Sequence, residues 1–167
     1  SGKGPPMRDD HNVHATGLVL SGKGLLLRGP SGSGKSLLAL TLIESWEARG
    51  RKALLVSDDR VDLMIERGHL TMQAPAAIAG LIELRGRGIV RRPHVAKARV
   101  HLVVDFLPKL DRLVEEEDLT AEVLGHTLPR CPVPKFGVTE LGHQALLVGE
   151  ALRALTGVPA GPRQKTT

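Results

Sequence analysis

The chain has 167 residues, of which 41% are hydrophobic but only 2% aromatic, with a formal net charge of +5 and a pI near 9.8. That size suits one globular domain with a core of Leu, Val, Ile and Ala. The shortage of aromatics argues against the stacking platforms that hold single-stranded nucleic acid, while the basic balance favours an anionic partner. The lone cysteine, Cys131, excludes an intramolecular disulfide framework and suits a reducing cytoplasm, and no apolar run approaches a membrane span.

Residues 1–10, opening on Ser1-Gly2-Lys3-Gly4-Pro5-Pro6, read as a disordered leader before a domain covering 11–156. Two short strands, Thr16–Leu20 and Gly24–Leu27, flank Ser21-Gly22-Lys23, a connection short enough to demand an antiparallel hairpin. The hairpin runs straight into Gly29-Pro30-Ser31-Gly32-Ser33-Gly34-Lys35-Ser36, which satisfies G-x-x-x-x-G-K-[ST] at every fixed position. Glycines there let the backbone curl so that its N–H groups converge on an anion. Lys35 suits the β- and γ-phosphates of a nucleoside triphosphate, and the Ser36 hydroxyl suits Mg²⁺. Behind the loop Leu38, Leu42 and Trp46 recur at helical spacing, widened by Leu37, Leu40 and Ile43, and Gly50 stands where a C-terminal cap belongs. A hairpin entry differs from the parallel-strand entry of common GTPases and nucleotide kinases.

Ala53–Val56 follows as a crossover strand ending at Ser57-Asp58-Asp59. Leu63–Glu66 and His69–Met72 around Arg67-Gly68 predict a second hairpin, and Pro75 opens a short helical stretch, Ala76–Leu81. Ile82 to Val90 is an apolar frame broken by charges and two glycines. Val100–Asp105 predicts a strand, and the charge-dense 109–122 a surface loop plus helix. Three prolines (129, 132, 134) exclude helix, and Val133–Thr139 reads as an edge strand. His143–Leu155 predicts a closing helix whose Ala145, Leu146, Val148, Leu152 and Leu155 face the core, before a mobile polar tail at 157–167.

The chemistry-bearing residues fall at strand ends. Asp58 and Asp59 close a strand at the end where an open α/β sheet meets its ligand, so one carboxylate could hold Mg²⁺ while the other takes a proton. The same pair could instead simply cap a turn. Glu83, with Arg85 and Arg87 two and four positions on, is either a surface ion pair or a metal ligand with phosphate-gripping arginines. His14, before the first hairpin, reads by pattern alone as structural, and Arg112 as one surface arginine among many. The other six histidines show no metal spacing.

Together these stretches resemble HPr kinase/phosphorylase, the bacterial serine protein kinase of HPr, the phosphocarrier of the sugar phosphotransferase system. The similarity lies in His14 with Gly17-Leu18-Val19-Leu20, the loop from Gly29 to Ser36, and Val56-Ser57-Asp58-Asp59-Arg60-Val61. It continues through the most specific stretch, Ile82-Glu83-Leu84-Arg85-Gly86-Arg87-Gly88-Ile89, and Asp111-Arg112-Leu113. The resemblance implies an α/β fold of the phosphoenolpyruvate carboxykinase type, with a mixed sheet and flanking helices. It implies His14, Lys35, Asp58 and Arg112 as active-site residues, Asp58 as the base, and Ser36 and Glu83 as Mg²⁺ ligands; Asp59 is a further candidate ligand.

Three departures stand out. The expected chain is a short form without the family's N-terminal domain, and Leu37 replaces the glutamate that usually follows the loop serine. Gly137–Gln144 carries Glu140 and His143 where the family's dephosphorylation stretch is basic, and a glutamate there opposes delivery of inorganic phosphate. The expectation is therefore a cytoplasmic, ATP- and Mg²⁺-dependent kinase of HPr or a nitrogen-type phosphocarrier, able to form homo-oligomers and with phosphorylase activity disfavoured. The alternatives are a small-molecule kinase on the same scaffold and a nucleotide-dependent sensor or binding module.

Overall fold

The computed structural model describes residues 11–156, so the expected leader and tail lie outside the described residues. The first strands are β1 (Asn12–Val13), β2 (Ala15–Leu20) and β3 (Lys23–Arg28), followed by helix α1 (Lys35–Ala48) and β4 (Ala53–Ser57). Then come β5 (Val61–Glu66), β6 (His69–Gln73), β7 (Leu81–Leu84), β8 (Gly88–Arg91), β9 (Lys97–Arg99) and β10 (Leu102–Leu107). Strands β11 (Thr120–Val123) and β12 (His126–Pro134) and helix α2 (Leu141–Leu155) complete the order.

A mixed six-stranded sheet, ordered β11-β12-β10-β3-β2-β4, forms the middle layer. The helices cover one face and a four-stranded antiparallel sheet, β1-β5-β6-β9, covers the other. Two cores result. Leu25 and Leu27 point to the helices with Leu38, Leu42, Trp46 and Val148, while Leu26 points the other way onto Val61, Leu70 and Met72. Burial on both faces explains why β3 is a continuous apolar run rather than an alternating one. Each such leucine, with 0% of its surface exposed, stabilises the fold by roughly 1.5–3 kcal/mol.

The β2–β3 hairpin forms with full register from Ala15–Arg28 to Leu20–Lys23. Ser21 and Gly22, both at positive φ, make its two-residue turn. Both hairpins expected from the pattern are present, β5–β6 being the second. Helix α1 ends at Ala48, before Gly50 at φ +75. The crossover after it differs from a simple βαβ unit: β4 pairs antiparallel with β2, which thus separates β4 from β3. The two strands still run the same way, so their C-terminal ends meet at one edge of the sheet.

Four local expectations are corrected. On α2, Leu146 is 72% exposed and Leu147 packs against the core instead, because the 3.6-residue period turns position 146 away from the face of Gln144, Val148 and Leu152, which 147 flanks. Only Ala76–Ile78 forms a 3₁₀ turn after Pro75, and Leu81 already belongs to β7. Within 109–122 the helical part shrinks to a 3₁₀ turn at Glu116–Leu119. The proline-rich strand is β12, ending at Pro134 rather than beginning at Val133. It pairs with β11 over 126–129 and with β10 over 130–134, so each half has one open side towards which a missing N–H costs little.

Candidate active site

The loop from Gly29 to Gly34 joins β3 to α1 at the sheet edge where β3, β4 and β10 all end. Gly34 takes φ +100 as the residue before α1, and among the described residues no side-chain hydrogen bond caps the helix. No acidic residue occupies its first turn either. The helix therefore leaves N–H groups and its positive dipole end free for an anion. A Cβ on Gly34 would lie 2.9 Å from the Cβ of Phe136, so glycine is required there by contact as well as by φ. Ser33 is buried, and its hydroxyl has no hydrogen-bond partner among the described residues.

Lys35 folds under the loop, its Nζ donating to the carbonyl oxygens of Gly29 at 2.8 Å and Pro30 at 3.2 Å. Burial pushes its pKa down, against the opposing pull of Asp59 and Asp58. The ammonium is thus held by neutral acceptors and carries charge that an anion in the loop would compensate.

Asp58 is buried at the end of β4, and it is where the surrounding elements converge. Its Oδ1 accepts hydrogen bonds from Ser36 Oγ at 2.6 Å and Thr16 Oγ1 at 2.9 Å, and its Oδ2 accepts the backbone N–H of Glu83 at 3.1 Å. The carboxylate therefore ties β2, α1 and β7 together. Asp59 turns the opposite way, at φ +72, a conformation Asp tolerates better than most residues. Its exposed carboxylate lies 3.3 Å from Nδ1 of His14, which is also exposed.

A cavity of about 270 Å³ opens over the loop. Ser31, Gly32, Gly34, Lys35 and Ser36 line it with Asp59, Glu83 and Arg85, and its apolar contributors are Leu37, Leu84 and Phe136. Leu37, expected in the helix core, faces this space. The structure thus brings Lys35, Ser36, Asp59 and Glu83 to one cavity, with Asp58 directly behind Ser36 and His14 beside Asp59. Arg112 is not among them: it is exposed and lines a separate cavity of about 650 Å³ with Lys109, Arg130 and His143, at the ends of β10 and β12. Arg87 is exposed on the β7–β8 turn, outside the residues lining either cavity.

One network escaped the sequence reading. Asp105 in β10 accepts from Arg28 twice, Nε to Oδ1 at 2.8 Å and Nη2 to Oδ2 at 2.9 Å, and from Arg130 Nε at 2.6 Å. Arg130 also donates to the Asp118 carbonyl at 2.9 Å. Burial pushes the Asp105 pKa up, but the hydrogen bonds from Arg28 and Arg130 prevail and hold it below the usual carboxylate range. Because Arg28 directly precedes Gly29, the cluster braces the strand that delivers the loop. The available signal was a charge within or at the end of each apolar run, Leu25-Leu26-Leu27-Arg28 and Leu102-Val103-Val104-Asp105.

Fold and site define an α/β domain in which a hairpin feeds a glycine-rich loop and an uncapped helix, with the Asp58 carboxylate on the loop serine and Asp59 and Glu83 lining the cavity above it. The model for the HPr Serine kinase C-terminal domain matches residues 6–138, and the chain belongs to that family. It is 32% identical over 138 residues to the HPr kinase/phosphorylase of Lactobacillus acidophilus, covering 74% of this chain and 40% of that protein. To the HPr kinase/phosphorylase of Geobacillus kaustophilus it is 35% identical over 135 residues, covering 73% and 41%. The solved Hpr(Ser) kinase/phosphatase from Coxiella burnetii matches with a TM-score of 0.69 and 29% identity, covering 87% of this chain and 93% of that one. The chain spans about two fifths of the length of these curated relatives.

Proposed function

We propose that this chain is a protein-serine kinase domain that transfers the γ-phosphoryl group of ATP to a serine of an HPr-type phosphocarrier. The observation that carries the reading is the convergence of Lys35, Ser36, Asp58 and Glu83 on an uncapped helix N-terminus. The loop N–H groups and Lys35 bind the phosphates, and Arg85, which lines the same cavity, steadies charge on the transferring group. The hairpin entry into the loop supports assigning the domain to the phosphoenolpyruvate carboxykinase type.

The donor set is all oxygen: the Ser36 hydroxyl with the carboxylates of Asp58, Asp59 and Glu83. Among the described residues no group of three or more His, Cys, Asp or Glu side chains forms a cage for a metal ion. Few protein donors fit Mg²⁺, which keeps water and substrate phosphates in its shell. When bound, Mg²⁺ would neutralise phosphate charge, with Ser36 and Glu83 holding it.

In the transfer the seryl oxygen bonds to the γ-phosphorus while the bond to the β–γ bridging oxygen breaks, leaving ADP; the seryl proton passes to Asp58. His14 orients Asp59 beside it. Arg112, at the β10–β12 end of the sheet, belongs on the acceptor's side. Glu140, exposed just before α2, adds negative charge where a phosphorolytic site needs positive, so the reaction proposed is phosphorylation alone. The acceptor is HPr or a nitrogen-type relative, and the reaction belongs in the cytoplasm.

Incubation with γ-labelled ATP, Mg²⁺ and purified HPr should place label on an HPr serine; nucleotide binding without labelled HPr would overturn the substrate assignment. Asp58→Asn should keep ATP affinity and lose transfer. A second reading, favoured by the open side chain of Asp59 and its contact with His14, makes Asp59 the base and Asp58 the group positioning Ser36. In that case Asp59→Asn keeps ATP affinity and abolishes transfer, while Asp58→Asn weakens Mg²⁺ affinity instead.

A further inference from the structure

The chain has three aromatic side chains, and two are core: Trp46 is 8% and Phe106 5% exposed. The third, Phe136, is 54% exposed and lines the cavity over the glycine-rich loop. An aromatic ring left in water at the rim of a cavity has a reason to be there when a flat apolar group must land on it.

The ring's carrier is fixed before any ligand arrives. Phe136 N–H donates to the Ser33 carbonyl at 2.9 Å, Lys135 N–H to the Leu107 carbonyl at 2.8 Å, and Val138 N–H to the Lys135 carbonyl at 3.0 Å. The preceding carbonyl, of Pro134, accepts the buried Gln144 side chain at 2.8 Å. On the loop side, Phe136 Cβ packs where only glycine fits at position 34. Such pinning lowers the ordering cost of binding.

Resting on the nucleotide reading above, we propose that Phe136 is the platform on which the nucleobase stacks while the phosphates occupy the loop. Leu37 and Leu84 supply the remaining apolar lining. Stacking on a ring face reads no base edge, so ATP and GTP should bind with similar affinity.

The test is calorimetric titration with Mg²⁺ present, comparing ATP with inorganic tripolyphosphate, which has the phosphates and no base. For the wild-type chain ATP should bind more tightly than tripolyphosphate. Phe136→Ala and the bulk-retaining Phe136→Leu should both weaken ATP by roughly 5- to 150-fold, the span of one base–aromatic stack. They should leave tripolyphosphate within about twofold, and Phe136→Trp should restore ATP affinity. Equal weakening of both ligands would make the ring a prop for the loop and overturn the proposal. So would unchanged ATP affinity in Phe136→Ala, or equal wild-type affinities, with the phosphate site surviving in both cases. If the wild-type chain binds neither ligand, the nucleotide reading itself falls and this proposal with it.

Discussion

Replacing Asp105 by alanine tests whether the charge cluster under the glycine-rich loop holds the sheet edge together. The substitution removes three charge-assisted hydrogen bonds, at 2.8, 2.9 and 2.6 Å, and leaves two guanidinium groups facing each other. Charged hydrogen bonds are worth about 1.5–3 kcal/mol each, which sets a gross loss of roughly 4.5–9 kcal/mol. The arginines are not sealed in, however: the Arg28 side chain is 36% and that of Arg130 18% exposed, so water recovers part of it. A net loss of about 3 kcal/mol is the expectation, at the lower end for breaking a buried pair. Urea unfolding should show a midpoint lower by roughly 1.5 M at an m-value of about 2 kcal/mol/M. Melting should fall by roughly 6–12 °C for a chain of this size. Because the folded pKa of Asp105 lies below its unfolded value, its contribution is present above the ordinary carboxylate range and lost as pH falls through the folded pKa. The difference between wild type and variant should therefore shrink on acidification. Replacing all three side chains together (Arg28→Met, Asp105→Leu, Arg130→Met) should recover much of the loss, since the orphaned charges go too. A single variant within about 0.5 kcal/mol of wild type at pH 7 would refute the reasoning, since surface substitutions already vary by that much.

Two further outcomes follow from the geometry. Gly34→Ala forces a Cβ to 2.9 Å from Phe136 Cβ at φ +100; it should cost on the order of 2 kcal/mol or more and abolish triphosphate binding, as read by thermal shift with and without ATP. His101 accepts the Gly24 N–H at Nδ1 over 3.0 Å, and burial, then Arg99 and Lys23, push its pKa down. The fold thus favours the neutral ring, so stability is full above about pH 6.5 and declines as pH falls towards the folded pKa. His101→Asn should flatten the decline in urea midpoint between pH 7.5 and pH 5, and an unchanged slope would remove His101 from the account.

The sequence determined by itself whatever depends on near neighbours along the chain. Glycines set before a helical stripe specify the loop and α1, two turn residues specify the β2–β3 hairpin, and apolar runs ending in Asp58 and Arg28 specify strands leading to a ligand edge. Local steric and hydrophobic preferences act within a few residues and leave their periodicity in the text. Only the tertiary structure decided which edges meet. That β2 lies between β3 and β4, and that β12 exchanges β11 for β10 halfway along, depend on pairings no local pattern encodes. Arg28 and Asp105 stand 77 positions apart, and Asp58 reaches Thr16 across 42, so their contacts exist only once the sheet order is set. The same order carries Arg112 to a different cavity from Lys35 and leaves Phe136, by pattern one residue of an expected edge strand, facing the glycines. A side chain's chemistry is written at its own position, but its partners are chosen by the packing of layers drawn from the whole chain.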